Sequence, residues 1–252
     1  MANRPPSELI AEHRAHELAH RRPLVIYHSN CADGFSAAWV YWKRFGANCD
    51  FHPGVYSEAP PDVTGREVHL VDFSYKRAVV EDMLKIAESI TLVDHHKSAI
   101  EDLQELRTAA EGRKALNWFC DLEASGAMLA WRHCFGSHEP PRLLGHVQDR
   151  DLWRFKLEGT REISAFIFSH EYTFEQWDNL MSADQVELLK MTAAGAAIER
   201  KHHKDVAELV SVCKRRMVIG AYDVPVASLP YTMVSDAAHL MAQGEPFAAC
   251  YW

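Results

Sequence analysis

The stretch Ile90-Thr91-Leu92-Val93-Asp94-His95-His96 decides how this chain folds. Its first four residues are apolar or β-branched, which is typical of a buried strand in a parallel sheet. The run stops on a carboxylate and two adjacent imidazoles, so these groups are expected at the carboxyl end of the strand, where open α/β sheets bind their ligands. A metal ion or a phosphate suits such a triplet. An isolated His-His pair, by contrast, is as often a pair of surface residues in a loop.

Two earlier segments have the same form and decide between those alternatives. Residues 24–27 lead into His28, and residues 68–71 lead into Asp72. If the three apolar runs are parallel strands, their terminal polar residues gather along one edge of the sheet. Three such endings rarely arise by chance, so the sequence predicts a metal or phosphate site at that edge.

Strand and helix signals alternate along the first half of the chain. The expected strands are 24–28, 48–52, 68–73, 90–94 and 116–120, and the expected helices between and after them are 35–45, 76–88, 97–107 and 123–131. Regular alternation of this kind predicts an α/β fold with a doubly wound, mostly parallel sheet and right-handed crossovers.

The second half predicts a long helix and a smaller unit. Almost no loop signal interrupts residues 184–215, whereas residues 216–252 have the pattern of a small α/β unit that stops on a strand-like segment. We therefore expect a metal-binding catalytic domain at 1–183, a connector helix at 184–215 and a small, apparently incomplete C-terminal unit at 216–252. A helix at 7–20 is expected to act as a packing arm.

Composition limits the class of protein. The net charge of −8 argues against a generic nucleic-acid coat, since the phosphate backbone favours a basic face. The six cysteines are spaced singly, which fits reduced thiols in a cytosol-like compartment. No segment has the long apolar run of a membrane span or the apolar core of a secretory signal. We expect a cytoplasmic protein with no membrane partner.

A charged cluster follows an expected helix at 140–147. Asp149, Arg150 and Asp151 are bracketed by apolar residues. Buried charges must be paired or bind a metal ion. Taken alone, the cluster is more often a solvated loop.

With these residues the sequence resembles the DHH phosphoesterase superfamily, whose name is the triplet at 94–96. Four motifs match in order: His28-x-x-x-x-Asp33-Gly34, Asp72, Asp94-His95-His96 and Asp149. The resemblance is strongest to the branch with a DHHA1-type C-terminal domain, which includes RecJ-type exonucleases, nanoRNA and cyclic-dinucleotide phosphodiesterases, and pAp phosphatases. It covers residues 24–153, and beyond 215 only the opening pattern matches.

The resemblance implies two divalent ions, usually Mn²⁺ with Mg²⁺ as an alternative, and a metal-bound hydroxide that attacks phosphorus. The implied ligands are His28, Asp33, Asp72, His95 and Asp149. Asp72 would bridge the two ions. Asp94 would contact the imidazole of His95 and fix its orientation without binding an ion itself. Carboxylates with imidazoles suit manganese, and a set without thiolates argues against structural zinc.

The resemblance also implies the residues that meet the substrate. His96 would face the phosphate and would be catalytic together with Asp72. Asn30 and Arg150 are further candidates for substrate contact. Asp151 is the alternative to Asp149, because a shift of two residues is the easiest error in aligning the fourth motif.

Two departures from the family pattern leave alternatives open. Many members have a further aspartate where this chain has Asn30 and Cys31. One alternative is that Cys31 contributes a soft sulfur ligand to the first metal site. The others are that Asn30 coordinates the ion through its oxygen, or that an ion occupies this site only when substrate is present. The Gly-Gly-His type motif expected late in a DHHA1 domain is absent from the sequence.

The expected function is metal-dependent hydrolysis of phosphodiester bonds in short oligonucleotides or small nucleotides. A phosphomonoesterase or pyrophosphatase that uses the same metal pair on a smaller anion is the alternative among enzymes. A degenerate module that binds a nucleotide without cleaving it is the alternative from another class. The sequence leaves the oligomeric state open, with a homodimer among the alternatives.

Overall fold

The computed structural model describes residues 22–252, so the arm expected at 7–20 lies outside the described residues. Two compact units divide this part of the chain. The larger comprises residues up to 160 together with 167–188, and the smaller comprises 161–166 and 189–252.

Strands and helices alternate through the larger unit, as predicted. The elements are β1 (Leu24–His28), α1 (Ala32–Phe45), β2 (Asp50–Gly54), β3 (Glu67–Val71), α2 (Arg77–Ile86), β4 (Ser89–Asp94), α3 (Lys97–Leu103), β5 (Asn117–Cys120), α4 (Gly126–Phe135) and α5 (Arg142–Asp151). Three further helices follow: α6 (Thr160–Phe168), α7 (Phe174–Met181) and α8 (Gln185–Cys213). The sequence analysis predicted α8, but it predicted neither α6 nor α7.

The five strands form one parallel sheet in the order β2-β1-β3-β4-β5. Leu24 pairs with Val68, and Val68 pairs with Ile90, so the carboxyl ends of β1, β3 and β4 lie side by side. The strand order reverses between β1 and β3, and such a switch point is where open α/β sheets bind ligands. The predicted α/β fold with a parallel sheet is confirmed.

Alternation along the strands explains the core. Every second residue of β1, β3 and β4 enters one buried cluster together with the apolar face of α2. That cluster includes Leu24, Ile26, Val68, Leu70, Ile90, Leu92, Val80, Met83 and Leu84. The intervening strand residues point to the opposite face, and α1 packs against both β1 and α4. Burial on both faces holds the strand ends, and therefore the polar residues that follow them, in fixed positions.

The smaller unit contains a three-stranded sheet with its own core. Its elements are β6 (Arg215–Ile219), β7 (Tyr222–Ser228), α9 (Val234–Met241) and β8 (Ala249–Tyr251). Strand β7 pairs antiparallel with β6 and parallel with β8. Val206 and Val210 of α8 pack with Ala237 and Met241 of α9 in the core of this unit.

Helix α8 is 29 residues long. Charged side chains flank an uncharged stretch at 191–198 on both sides. Between residues 22 and 252, no helix combines the length and the apolar character that a membrane crossing requires.

Candidate metal centre

Polar side chains from three adjacent strand ends meet at the switch point of the sheet. His28 is the last residue of β1, Asp72 follows β3, and Asp94 is the last residue of β4, followed by His95 and His96. Because the three strands are parallel and in register, the sequence-predicted gathering of these residues is a consequence of the topology.

Asp72 leaves β3 in an unusual backbone conformation. Its φ of 53° lies in the left-handed region, which costs a non-glycine residue on the order of 1 kcal/mol or more. The amide of Asp72 donates to the carbonyl of Val93 at 2.9 Å, which holds this turn. A Cβ at Gly126, the first residue of α4, would collide with the Asp72 side chain, so a glycine is required there. The backbone strain points to a functional role for the carboxylate.

The two carboxylate oxygens of Asp72 face two different imidazoles. Oδ1 lies 3.2 Å from Nε2 of His95, and Oδ2 lies 3.7 Å from Nδ1 of His28. Burial opposes ionisation of Asp72, but the nearby imidazoles of His28 and His95 outweigh it and hold its pKa at about 2. Asp72 is therefore an ionised carboxylate shared between two sides of the site.

Three carboxylates surround the His95 ring. Besides Asp72, Oδ2 of Asp33 lies 3.9 Å and Oδ2 of Asp151 lies 3.4 Å from Nε2 of His95. Burial, followed by the charge of Asp72, raises the pKa of Asp33 well above its usual value and that of Asp151 to about 6. Acidic groups packed this closely repel one another, so a cation among them would be strongly favoured.

Asp33 is positioned by two helices. It lies in the first turn of α1, and its Oδ1 accepts a hydrogen bond from the amide of Ala127 at the start of α4. A Cβ at Gly34 would meet the backbone and side chain of His28, so the glycine allows α1 to begin close to β1. The second oxygen of Asp33 remains directed toward the cluster.

Asp94 holds His96 rather than the ring of His95. Its Oδ1 accepts hydrogen bonds from the amides of His95 and His96 and lies 2.7 Å from Nδ1 of His96. The hydrogen bond to the imidazole raises the pKa of His96 to about 9 despite partial burial. The expectation that Asp94 orients the His95 ring is thus corrected, because the chain turns after β4 and places the second imidazole over the carboxylate.

The donor set fits divalent cations. Within residues 22–252, six buried side-chain polar atoms lack a hydrogen bond, and four of them belong to this cluster. These four are His28 Nδ1, Asp33 Oδ2, Asp94 Oδ2 and Asp151 Oδ2. Buried polar atoms are normally satisfied, so a convergent group of unsatisfied nitrogen and oxygen atoms is the arrangement expected of metal ligands.

Comparison with solved structures places this site in a known fold. The structure matches the DHH domain of a member of a family of ribosomal proteins with a TM-score of 0.55 and 13% identity, covering 96% of this chain and 74% of that one. The chain has the DHH-domain fold. The resemblance found in the sequence is therefore confirmed at the level of the fold.

Two further comparisons are more distant or partial. RecJ from Thermus thermophilus, solved in complex with Mn²⁺, gives a TM-score of 0.47 at 13% identity over 99% of this chain and 47% of RecJ. An uncharacterized protein of Acanthamoeba polyphaga mimivirus is 27% identical over 180 residues, which are 65% of this chain and 41% of the relative. The chain thus matches about two fifths of that relative's length. No protein-family model matches the sequence.

Four of the five expected metal ligands converge in the structure, and the fifth does not. His28, Asp33, Asp72 and His95 lie together, whereas Asp149 is directed elsewhere. Oδ1 of Asp149 accepts a hydrogen bond from the amide of Lys156 at 2.9 Å. Its Oδ2 accepts from the amide of Leu157 at 3.0 Å and from the hydroxyl of Thr160 at 2.7 Å. Both oxygens of Asp149 are therefore engaged away from the cluster.

Helix phase explains why Asp151 stands in the cluster instead of Asp149. Helix α5 extends to Asp151, beyond the end expected near residue 147. At about 100° per residue, positions 149 and 151 face directions roughly 200° apart, so only one of them can reach the site. Burial opposes ionisation of Asp149, but the hydrogen bonds from the amides of Lys156 and Leu157 lower its pKa. Asp149 therefore ties the segment after α5 to the helix.

Besides His96, the two further residues expected to contact substrate are Asn30 and Arg150, and they lie in different environments. Asn30 is exposed, and its φ of 53° turns the chain between β1 and α1. The guanidinium of Arg150 lies over the ring of Trp153, 4.4 Å from its centroid. Arg150 is also close enough to Asp151 for its charge to lower that carboxyl's pKa, in opposition to burial and the charge of Asp72.

Tyr56 is a residue near the site that sequence reasoning missed. Its ring centroid lies 5.4 Å from that of His28 and 5.0 Å from that of Phe73, while 60% of the residue is exposed. The residue belongs to the loop after β2, where the sequence carries turn signals only. No local pattern could have placed this ring beside His28, because the contact depends on how β1 and β2 pair.

Proposed function

We propose that this chain is a metal-dependent phosphoesterase whose centre holds two divalent ions. The observation that carries this proposal is the orientation of Asp72. One of its oxygens faces His95 at 3.2 Å, and the other faces His28 at 3.7 Å. A single buried carboxylate between two imidazoles is suited to bridging two cations, and its left-handed backbone keeps it there.

The ligands proposed for each ion follow from the neighbours of those two imidazoles. Asp33, His95 and Asp151 have ligand atoms within 4.8 Å of one another, and we propose that they complete one ion site with Asp72. His28 serves the other site. In this proposal Asp151, rather than the expected Asp149, is the metal ligand from the fourth motif. The oxygen-rich site with one imidazole favours Mn²⁺, with Mg²⁺ as the alternative.

Bound together, two such ions would stabilise both the attacking and the leaving oxygen of an in-line displacement at phosphorus. The protein's own groups complete the electrostatics. His96 is held by Asp94 and is cationic near neutral pH, and 38% of its side chain is exposed on the open side of the cluster. A fixed N–H donor of this kind offsets charge on the phosphoryl oxygens.

The proposed substrate is a short oligonucleotide or a small nucleotide. Tyr56 supports this choice over a small inorganic anion, because its exposed ring lies next to His28 and packs against Phe73. Aromatic rings beside a phosphate site provide a stacking surface for a base, which is worth roughly 1–3 kcal/mol. A pyrophosphatase or phosphomonoesterase acting on a small anion would gain nothing from this ring.

We also propose which parts of the chain carry out catalysis and substrate binding. We assign catalysis to residues 1–183 and a contribution to substrate binding to 216–252, with 184–215 as the connector. The smaller unit has a cavity of about 440 Å³ whose lining includes Lys214, Pro225 and the ion pair of Arg216 with Glu245. The ammonium group of Lys214 next to an apolar surface suits a nucleotide.

A turnover assay with defined metals tests the function. The purified chain is incubated with Mn²⁺ or Mg²⁺ and, separately, with a dinucleotide, a nucleoside monophosphate and pyrophosphate. We expect metal-dependent cleavage of the dinucleotide, no turnover by Asp72→Asn, and normal turnover by Asp82→Asn, whose side chain is 76% exposed. Nucleotide binding without any turnover would identify a non-catalytic binding module, and cleavage of pyrophosphate alone would identify a pyrophosphatase.

A further inference from the structure

A second group of potential ligands in the same centre contains sulfur. The ligand atoms of His28, Cys31 and Asp72 all lie within 4.8 Å of one another. The group formed by Asp33, His95 and Asp151 offers only oxygen and nitrogen. A cation on the His28 side of Asp72 would therefore have a sulfur atom among its possible ligands, whereas a cation on the His95 side would not.

The backbone between β1 and α1 places the thiol of Cys31 in the centre. Asn30 adopts the left-handed conformation and is exposed. Cys31 then returns to an extended conformation with φ −123° and ψ 133° and is half-buried at the start of α1. The sulfur of Cys31 reaches the cluster, where its distances to the ligand atoms of His28 and Asp72 suit a shared cation.

A thiol is an unusual group at this position of the fold. Cys31 occupies the N-cap position of α1, where its sulfur is near the amide of Gly34, and its carbonyl accepts from the amide of Phe35 at 2.9 Å. A serine or an aspartate is the usual residue at such a position because its oxygen caps the helix. All six cysteines are free, so Cys31 forms no disulfide.

The imidazole opposite the thiol is also available. Nδ1 of His28 is buried and makes no hydrogen bond, and it lies 3.7 Å from Oδ2 of Asp72, a residue that is 1% exposed. A nitrogen, a sulfur and a carboxylate oxygen therefore converge at this point, and the sulfur forms no disulfide.

We infer that the His28–Cys31–Asp72 group is a nitrogen–sulfur–oxygen site selective for a soft or borderline divalent ion, Zn²⁺ in particular, while the group around His95 keeps a preference for Mn²⁺ or Mg²⁺. This inference rests on the proposed function because it concerns the same centre. Thiolate and imidazole ligands favour Zn²⁺, whereas carboxylate and water favour Mn²⁺ and Mg²⁺. On binding, the S–H bond of Cys31 breaks, its proton passes to solvent, and a sulfur–metal bond forms without any redox change.

Cobalt titration reports directly on the sulfur ligand. Co²⁺ is added to the metal-free wild-type chain, and the near-ultraviolet band of thiolate-to-cobalt charge transfer is recorded. We expect the band in the wild type, its loss in Cys31→Ser, and its retention in Cys250→Ser, which removes a thiol from β8. Added Zn²⁺ should remove the band by displacement, while Mn²⁺ at the same concentration should leave it.

The carboxylate variant tests selectivity. Cys31→Asp should still bind a divalent ion but without the charge-transfer band, and its preference for Zn²⁺ over Mn²⁺ should fall. Replacing the thiolate ligand by a carboxylate should lower the preference for Zn²⁺ over Mn²⁺ by about tenfold or more. Competition binding of Zn²⁺ against Mn²⁺ measures the ratio in both proteins. An unchanged ratio in Cys31→Asp would overturn the inference.

Alkylation of the wild-type chain provides a test that needs no variant. Burial raises the pKa of both thiols, so labelling is done at a pH at which the metal-free chain is alkylated at Cys31. Zn²⁺ should then protect Cys31 from iodoacetamide and leave the labelling of Cys250 unchanged, as read by peptide mass. Equal labelling of Cys31 with and without saturating Zn²⁺ would overturn the inference, as would a charge-transfer band that persists in Cys31→Ser. If Co²⁺ and Mn²⁺ bind without a sulfur signature, only the role of Cys31 is wrong. If no divalent ion binds at all, the proposed metal-dependent function fails with it.

Discussion

The carboxylate of Asp94 lies 2.7 Å from Nδ1 of His96. Asp94 is fully buried, whereas 38% of the His96 side chain is exposed. The hydrogen bond to this buried anion raises the pKa of the half-exposed imidazole to about 9. The pair is thus suited to the fixed cationic donor that we propose beside the ion sites.

Replacing Asp94 by asparagine should lower the pKa of His96 from about 9 toward its usual value near 6.5. An asparagine oxygen still accepts from the amides of His95 and His96, so the turn after β4 is kept. NMR titration of the His96 ring in the metal-free protein measures the shift. A pKa that stays near 9 in Asp94→Asn would show that Asp94 is not the cause.

The same pair predicts how stability depends on pH. Because the folded-state pKa of His96 lies above its unfolded value, the stabilisation is fully present below about pH 6.5 and is lost as pH rises through about 9. Screening at a side chain this exposed limits the effect to about 1–2 kcal/mol. The difference in unfolding free energy between wild type and Asp94→Asn, measured across this range without metal, should shrink accordingly.

Asp149 and Asp151 should give opposite results when each is changed to asparagine. Asp149→Asn leaves at least one of the buried donors from residues 156, 157 and 160 unsatisfied, which costs on the order of 2 kcal/mol of stability. Asp151→Asn removes repulsion from Asp72 and should leave the metal-free protein as stable or slightly more stable. It should, however, lose one bound ion.

Both expectations are checked by measuring the free energy of unfolding in denaturant and the number of bound ions for each variant. Loss of an ion in Asp149→Asn with unchanged stability would restore the assignment first expected from the sequence.

Removing Asp72 should empty both proposed ion positions. Asp72→Ala takes away the carboxylate that faces both His28 and His95, so metal content should fall for both ions and turnover should vanish. His95→Ala should remove mainly one ion. Metal analysis of the dialysed proteins distinguishes the two patterns, and full occupancy in Asp72→Ala would contradict the bridging role.

Affinity for Mn²⁺ should fall as pH decreases below about 6. Burial and the charge of Asp72 raise the pKa of Asp151 to about 6, so below that pH a proton must be displaced before the ion binds. One displaced proton corresponds to about a tenfold loss of affinity per pH unit. Calorimetric titration at several pH values measures the slope, and Asp151→Asn should flatten it.

His96→Ala should keep both ions and lose turnover. The ring is held by Asp94 and is proposed to meet the phosphate, so its loss removes a positioned donor worth on the order of 3 kcal/mol in the transition state. A comparable loss of bound metal would mean that His96, rather than His95, is the ligand.

The parallel sheet and the residues at its carboxyl edge follow from the amino-acid sequence alone. Apolar runs that end on His28, Asp72 and Asp94 are local features, and alternation with helices makes the strands parallel. Once strands are parallel, residues at their ends must share an edge whatever the rest of the chain does. This is why the histidines and aspartates at the switch point could be predicted from local patterns.

Tertiary packing selects which of two neighbouring side chains faces the site. The choice of Asp151 over Asp149 depends on the phase and the end of α5, and the position of the Cys31 thiol depends on the left-handed residue before it. Both are set by what the segment packs against, since a shift of one or two positions along a helix or turn reverses a side chain's direction at little local cost. The contact of Tyr56 with His28 has the same origin, because it arises from the pairing of β1 with β2 and leaves no trace in the local sequence.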